Sequence, residues 1–390
     1  MTAASETILI AGGGTGGHVF PGLAVADALK ALADVDVVFC GTSRGIEARV
    51  VPARGYRLEI MAAEPIKGGG PARAVKGAAI AARETAKAVA LVRRVRPKVV
   101  LSTGGYAAGP VSLAAAVLRV PVALLEPNST IGFANKVLAP LAARAYVAWP
   151  EVGATFRAGR ARTYGVPLRA GFTPQPYVPG PSARVLVLGG SQGAAPLNDR
   201  VPPAIARVLA TLPNVQVLHQ AGRERDRRVR ERYESLGITG ATVVEFVDDV
   251  AREIAAADVV LARSGAVTVA ELAAVGRAAI LVPFPQAADD HQFKNADALA
   301  KVGGALCIRQ EAADDVRLAT ELLALFGDPA ARTQMADASR AHGRPTAAYD
   351  IARDLLALAG IPARPTNGGG GRHKNGAASD KGAHHGAEAN

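Results

Sequence analysis

Residues 8–24 read Ile8-Leu9-Ile10-Ala11-Gly12-Gly13-Gly14-Thr15-Gly16-Gly17-His18-Val19-Phe20-Pro21-Gly22-Leu23-Ala24, and this stretch decides the fold. A short apolar run enters the glycines and an Ala/Leu-rich helical pattern leaves them, so the segment is a strand, a tight turn and a helix start. Glycines let the backbone turn sharply and approach a ligand closely, and the free N–H groups of a helix start favour an anion. His18 stands at the exit of this turn, beside whatever binds there.

The spacing Gly12-x-Gly14-x-x-Gly17 also satisfies the dinucleotide pattern, which asks for an acid at the end of the second strand. Here that strand, Val35 to Cys40, ends in Gly41-Thr42, and its acids Asp34 and Asp36 lie at its beginning. That is the wrong edge of a sheet for a ribose, which argues against an NAD-dependent dehydrogenase.

The pattern recurs along the chain. Lys98 to Leu101 is a buried parallel-type strand ending in Ser102-Thr103-Gly104-Gly105-Tyr106, and Val122 to Leu125 delivers Glu126-Pro127-Asn128-Ser129 to the same edge. Open α/β sheets bind ligands at that carboxyl edge. Proline-rich residues 173–181 then read as a semi-rigid linker. A second α/β unit starts at Arg184 to Leu188 and turns through Gly189-Gly190-Ser191-Gln192-Gly193-Ala194. Further on, Val259 to Leu261 leads into Ala262-Arg263-Ser264-Gly265-Ala266-Val267-Thr268, with Glu271 about one helical turn beyond. A helix start with a hydroxyl, a glycine and an arginine suits a diphosphate, and Glu271 then lies within reach of the ribose. Asp289-Asp290-His291-Gln292-Phe293-Lys294-Asn295 opens another helix with groups that hydrogen-bond sugars.

Composition bounds the rest. A chain of 390 residues is long for one domain and natural for two. Hydrophobic residues at 49% against 20% charged allow large cores, whereas 4% aromatics argue against nucleic-acid stacking platforms. The net charge of +11 favours anionic partners, but no zinc, helix-turn-helix or ribonucleoprotein signature accompanies it, so nucleic acid is not expected. Cys40 and Cys307 alone make no disulfide scaffold, which fits a reducing compartment. Met1 to Glu6 has no signal-peptide pattern, and the apolar stretch Tyr106 to Leu125 is broken by Gly109, Pro110, Arg119 and Pro121, so no membrane span is expected.

Residues 64–98 carry Lys67, Arg73, Lys76, Arg83, Lys87, Arg93, Arg94, Arg96 and Lys98 at helical spacing among alanines and valines, answered within the segment by Glu64 and Glu84 only. They read either as a solvated helix on a sheet or as a surface that rests on an anionic leaflet. Arg223 to Arg232 mixes both signs and reads as a solvated face. Beyond Pro362, a Gly/Ala/Lys/His tail with almost no large apolar residues is expected to be disordered, and its His373, His384 and His385 are not expected to form a functional metal site.

Taken together, the glycine turn from Gly13 to Ala24, Gly104-Gly105-Tyr106, Gly189 to Ala194, Arg263 to Ala266 with Glu271, and Pro283 to Asn295 closely resemble, in order, the MurG family of bacterial N-acetylglucosaminyltransferases. The resemblance runs from about Thr7 to Ile361. It implies a GT-B fold, an α/β architecture of two Rossmann-like domains whose parallel sheets face a central cleft. The implied division is an acceptor- and membrane-facing domain over 1–168, a linker over 169–181, a UDP-sugar domain over 182–343, a helix over 344–362 packing back on the first domain, and the tail over 363–390.

The implied activity is inverting transfer of N-acetylglucosamine from UDP-N-acetylglucosamine to the 4-hydroxyl of the muramoyl group of lipid I, with no cofactor or metal. Implied partners are these two substrates, an anionic membrane surface and other cell-wall synthesis proteins; the implied location is the cytoplasmic face of the inner membrane. Carried over by position, Ser191 and Ala266-Val267-Thr268 meet the diphosphate, Glu271 the ribose, the backbone near Val247 the uracil, Gln292 the sugar hydroxyls, and Arg169 the nucleotide from the linker side. Thr15, Gly16, Gly17 and Asn128 complete the donor site, and Gly104, Gly105 and Tyr106 lie on the acceptor side. The family often reads His-Glu-Gln-Asn where this chain has Leu125-Glu126-Pro127-Asn128, and Pro127 removes a backbone donor there.

Inversion needs a base for the acceptor hydroxyl. His18 is the leading candidate and Glu126 its rival. Arg263 and helix N-termini are expected to neutralise the leaving diphosphate. Asp34-Val35-Asp36 spells an Asp-x-Asp metal motif but sits on the edge opposite the glycine turns. The alternatives are a GT-B enzyme with another lipid acceptor, such as a diacylglycerol, a UDP-sugar epimerase, or a silent membrane-edge scaffold.

Overall fold

The computed structural model describes residues 5–61, 71–105, 107–180, 183–190 and 193–365, with backbone only over 71–82. The first half holds strands β1 (Glu6–Gly12), β2 (Val35–Gly41), β3 (Arg57–Ile60), β4 (Val99–Gly104), β5 (Val122–Glu126), β6 (Arg144–Val147) and β7 (Ala161–Thr163). They form one parallel sheet in the order β3-β2-β1-β4-β5-β6-β7. The second half holds β8 (Arg184–Leu188), β9 (Gln216–Gln220), β10 (Ala241–Val244), β11 (Val259–Ala262), β12 (Ala278–Leu281) and β13 (Leu306–Cys307), ordered β10-β9-β8-β11-β12-β13 and again parallel throughout.

The strand sequences explain this. Ile8 to Ala11, Val99 to Leu101, Val185 to Val187 and Val259 to Ala262 are apolar at every position and almost wholly buried. A strand covered on both faces by helices has no polar side to offer, which is the signature of parallel sheets. In each sheet the chain winds outward in both directions from a first strand, β1 or β8, so strand order reverses between β1 and β4 and between β8 and β11. Ligand crevices open at those switch points.

The helices on the first sheet include α1 (Gly16–Leu32), α2 (Glu47–Ala53), α3 (Pro71–Val95), α4 (Ala108–Val117) and α5 (Phe133–Leu138). Helix α1 is covered in turn by the closing helix Ala347–Leu358, whose Ile351, Ala352, Leu355 and Leu356 are fully buried in one cluster with Val25, Leu29 and Leu32. Asp354 on that helix accepts from Arg144 Nε at 3.0 Å and from the Tyr146 hydroxyl at 2.8 Å. The first domain is therefore built from both ends of the described chain.

The proline-rich segment is less of a free linker than its composition suggests. Gln175 donates its N–H to the Val275 carbonyl at 2.9 Å, and Arg277 Nη1 donates to the Gln175 carbonyl at 2.8 Å. The Tyr177 hydroxyl donates to Asp258 and receives Arg332 Nε at 2.8 Å. From Gln175 onward the chain is fastened to the second domain, and the crossings narrow to 169–174, where Gly171 has φ +106°, and 343–346. Residues 181 and 182 and the tail from 366 onward lie outside the described residues. Among the described residues, no helix is long and apolar enough to cross a membrane.

Candidate active site

The glycine turn sits at the β1/β4 switch point, and its fine structure differs from a simple anion cradle. Gly13 donates its N–H to the Gly104 carbonyl at 3.2 Å, and Gly14, at φ +88°, donates to Glu47 Oε2 at 2.8 Å. Two of the amides expected to face a ligand are thus committed within the protein. Those of Thr15, Gly16 and Gly17, at the start of α1, have no acceptor among the described residues. Glu47 itself is 1% exposed, and its Oε1 accepts the Thr42 N–H at 2.8 Å and the Thr42 hydroxyl at 2.9 Å. An acid does reach the carboxyl end of β2, arriving from α2 rather than from the strand itself.

His18 lies half-buried between this turn and β4. Its Nδ1 is 2.8 Å from the Thr103 carbonyl, and since a carbonyl only accepts, Nδ1 carries the proton and a neutral ring leaves Nε2 as a free lone pair. Burial pushes the imidazole pKa below its ordinary value. The Thr103 bond and the charges of Glu126 and Glu47 pull it upward, and His291 adds to the depression. The net result is a neutral ring near pH 7, the state a general base needs.

Gly104 and Gly105, expected on the acceptor side, have a packing reason to be glycine. Gly104 has φ +95°, and a Cβ there would lie 2.8 Å from the His18 ring; Gly105 has φ +91°, and its Cβ would lie 2.3 Å from the Gly13 carbonyl oxygen. The pair braces His18 and the turn. Tyr106 lies outside the described residues.

Glu126, the rival base, does not suit that role. It is 2% exposed, and its carboxylate accepts from Asn128 N–H and Asn128 Nδ2 at 3.1 Å each, from Gly132 N–H at 2.8 Å and from Asn135 Nδ2 at 2.9 Å. Four donors occupy its lone pairs. Its evident work is to hold the loop 126–135 in shape, and Pro127 interrupts none of these bonds. Asn128 is held in turn from the other domain: Asn295 Nδ2 donates to Asn128 Oδ1 at 3.2 Å, and Asn295 Oδ1 accepts the Ser129 N–H at 2.8 Å.

Across the cleft, the helix Ala266–Val275 starts near this loop, since Asn295 Nδ2, which bonds Asn128, also donates to the Ser264 carbonyl just before that helix at 3.4 Å; Ala266, Val267 and Thr268 are half-buried. Both domains line one pocket there, Pro127, Trp149 and Leu168 from the first and Ala266, Ala270 and Asn295 from the second. Glu271 lies in the same helix. Burial raises its pKa to about 7, with Arg169 pulling it back. Arg169 reaches in from the crossing segment, its guanidinium 6.0 Å from the Phe20 ring centre and 5.6 Å from that of Phe172.

The remaining donor-side residues are partly spoken for. Gln292 Oε1 accepts the Phe284 N–H at 3.0 Å, leaving its amide nitrogen for a ligand. The Val247 N–H is taken by Gln220 Oε1 at 3.1 Å, which leaves its carbonyl as the group to meet a base. Arg263 departs from expectation. It is 8% exposed, and Nη1 donates to the carbonyls of Val282 and Pro283 at 3.0 Å each while Nη2 donates to Gln310 Oε1 at 2.7 Å. A guanidinium drawn into the loop after β12 fastens that loop and is not directed at a diphosphate. Ser191 lies outside the described residues. Among the described residues, no three His, Cys, Asp or Glu side chains converge as metal ligands, and Asp36 pairs with Thr7 in the strand register, away from the cleft.

Two family models match this chain: the glycosyltransferase family 28 N-terminal domain over residues 8–147 and the C-terminal domain of the same family over 184–352. The chain belongs to glycosyltransferase family 28. Its family 28 relatives include a Sorangium cellulosum protein named UDP-N-acetylglucosamine--N-acetylmuramyl-(pentapeptide) pyrophosphoryl-undecaprenol N-acetylglucosamine transferase. That protein is 52% identical, over 93% of this chain and 92% of its own length. An identically named protein of Acidithiobacillus ferrooxidans is 42% identical over 91% of this chain and 99% of its own. The crystal structure of Acinetobacter baumannii MurG superposes with a TM-score of 0.73 at 30% identity, covering 90% of this chain and 99% of that one. A UDP-GlcNAc 2-epimerase from Neisseria meningitidis shares the fold alone, at 12% identity and a TM-score of 0.66 over 90% of this chain. The fold that the family resemblance implies, two Rossmann-like domains of GT-B type, is the one observed.

The geometry at His18 predicts its behaviour in solution. In 15N-detected spectra the ring should be the Nδ1–H tautomer and titrate below the ordinary histidine value. A pKa at or above 6.5, or the Nε2–H tautomer, would remove it as the base.

Proposed function

We propose that this family 28 enzyme transfers N-acetylglucosamine from UDP-N-acetylglucosamine to the 4-hydroxyl of the N-acetylmuramoyl group of lipid I, forming lipid II. The observation that carries the reading is the neutral imidazole of His18, its Nε2 unengaged, at the switch point of one domain while the helix Ala266–Val275 of the other packs against α1, which carries His18. The names borne by close relatives over nearly the full chain supply the substrates.

In this reading the acceptor hydroxyl gives its proton to His18 Nε2 as its oxygen attacks the anomeric carbon. The bond from that carbon to the UDP oxygen breaks on the opposite face, and the configuration inverts. Charge develops on the departing diphosphate, where the first-turn amides of the helix Ala266–Val275 stabilise it. Glu271 accepts the ribose hydroxyls, Gln292 Nε2 and the Asn128 loop hold the sugar, and the start of α1 at Thr15-Gly16-Gly17 closes the site from the other domain. UDP release and lipid II formation from a short-chain lipid I analogue test the reaction. His18→Ala should lower kcat by a factor on the order of 10²–10⁴ at saturating substrates, the usual contribution of a general base. Near-normal turnover would reject the assignment.

Glu271 sets a pH dependence. A carboxyl titrating at about 7 in the free protein, against 4.5 ordinarily, is ionised at a cost as pH rises from 4.5 through 7, and above 7 that cost is constant. Ribose hydroxyls donating to the carboxylate favour the ionised form. Donor affinity measured by calorimetry should therefore rise with pH, by up to about tenfold per unit below 7, and level off above it. Glu271→Gln should remove the slope, and a flat wild-type profile would count against the ribose contact.

The membrane reading rests on α4 and α5, which lie together and expose Leu113, Val117, Phe133 and Val137, with Phe133 79% accessible. Arg119 and Lys136 are exposed beside them, and α3 exposes Arg83, Lys87, Arg93 and Arg94. Some of that charge is answered, by Glu84 and also by Glu59, which pairs with Arg94. An apolar patch ringed by cations fits the headgroup region of an anionic leaflet. Residues 64–70 of the same basic segment lie outside the described residues. Sedimentation with vesicles containing phosphatidylglycerol should pull down the protein, and the double variant Phe133→Glu, Val137→Glu should stay in solution. Equal binding of both would place the contact elsewhere.

A further inference from the structure

Glu47 belongs to no motif of the sequence, yet three glycines are arranged around it. A Cβ on Gly13 would lie 2.1 Å from Glu47 Oε1, one on Gly41 would lie 2.5 Å from its Cγ, and one on Gly45 would lie 2.0 Å from Oε2. Each glycine makes room for the same carboxylate. That carboxylate takes Gly14 N–H with one oxygen and the N–H and hydroxyl of Thr42 with the other, and no cation pairs with it among the described residues. A buried carboxylate held only by neutral donors is costly to keep and strongly oriented once satisfied.

We infer that Glu47 is a positioning residue for the transfer reaction: it pins the Gly12–Gly17 turn to the β2 edge and so fixes His18 and the first amides of α1 against the cleft. The route from Glu47 to the imidazole is short. Gly14 lies one residue before Thr15, which caps α1, and His18 is in the first turn of that helix, its backbone N–H bonded to the Thr15 carbonyl at 3.1 Å. Releasing Gly14 frees the turn to rotate about a residue at φ +88°, a region only glycine adopts easily. The charge acts too. The titratable groups that bear on His18 are Glu126 at the end of β5, His291 from the facing domain and Glu47 beneath the turn; the two carboxylates favour the protonated ring and His291 opposes it.

This inference rests on the transfer reaction with His18 as base, so wild type is assayed in parallel; a wild type without transfer indicts that reading and not Glu47. The variant Glu47→Gln keeps the shape but offers Gly14 or Thr42 an amide N–H where an acceptor stood. With lipid I analogue and UDP-N-acetylglucosamine, kcat should fall at least tenfold while donor KM changes less than threefold. The acidic limb of the kcat–pH profile should move to lower pH, because a negative charge near the imidazole has gone. Glu47→Asp, with the charge kept, should hold the limb in place. Should Glu47→Gln fail to fold, Thr42→Val removes one of the three donors and should lower kcat with donor KM unchanged. A Glu47→Gln enzyme with kcat within twofold of wild type and an unmoved limb would overturn the inference, as would a folded Thr42→Val enzyme with wild-type kcat where Glu47→Gln does not fold.

Discussion

One buried amide joins the two domains at the cleft. Asn295 is wholly inaccessible, and its side chain bonds both Asn128 and Ser129 of the first domain from a helix of the second. Its own helix is tied to the start of Ala266–Val275, since the Ser264 hydroxyl donates to the Gln292 carbonyl at 2.8 Å. The loop after β5 and the start of the helix Ala266–Val275 are thereby referred to a single side chain. Amide-to-amide bonds are directional and fall off steeply with angle, so the relative placement of the two halves is set more narrowly than apolar contact alone would set it.

Much of this was legible in the sequence because parallel sheets announce themselves. Apolar runs such as Ile8 to Ala11 and Val259 to Ala262, each followed by glycines and a helical pattern, left little choice but a doubly wound sheet, and their repetition after the prolines gave the second. The residues that line the cleft came from their position after those strands. What the pattern did not carry was the use to which each group is put. Glu47 follows the turn after β2 and looks like an ordinary first-turn acid, and nothing local says that it folds beneath a glycine loop 33 residues away. Arg263 carries a charge in the right place, but its carbonyl and amide partners come from loops 19 to 47 residues away, and Glu126 is taken up by donors of its own loop, so the commitment of both is visible only in three dimensions. Asn295 stands in sequence among sugar-type groups, whereas its side chain bonds Asn128 and Ser129 of the other domain.

The same limit applies to the glycines. Gly104 and Gly105 look like a ligand loop in sequence, and the structure gives them a different necessity, room for an imidazole and for the Gly13 carbonyl. A glycine signals that a side chain is excluded without saying by what. In this protein several of the excluded side chains would collide with other parts of the site itself, which makes the turn a packed object rather than an open cradle.

The closing helix has a consequence for how the chain is made. Helix α1 is synthesised early, yet the face that Ile351, Ala352, Leu355 and Leu356 cover is finished only when the ribosome has passed the whole second domain. Until then Val25, Leu29 and Leu32 have no lid, and the nascent first domain presents an oily strip for the time needed to translate some three hundred residues, about 15 to 60 seconds at usual rates. Domain order along the gene is therefore not folding order: the first domain to emerge is the last to be complete.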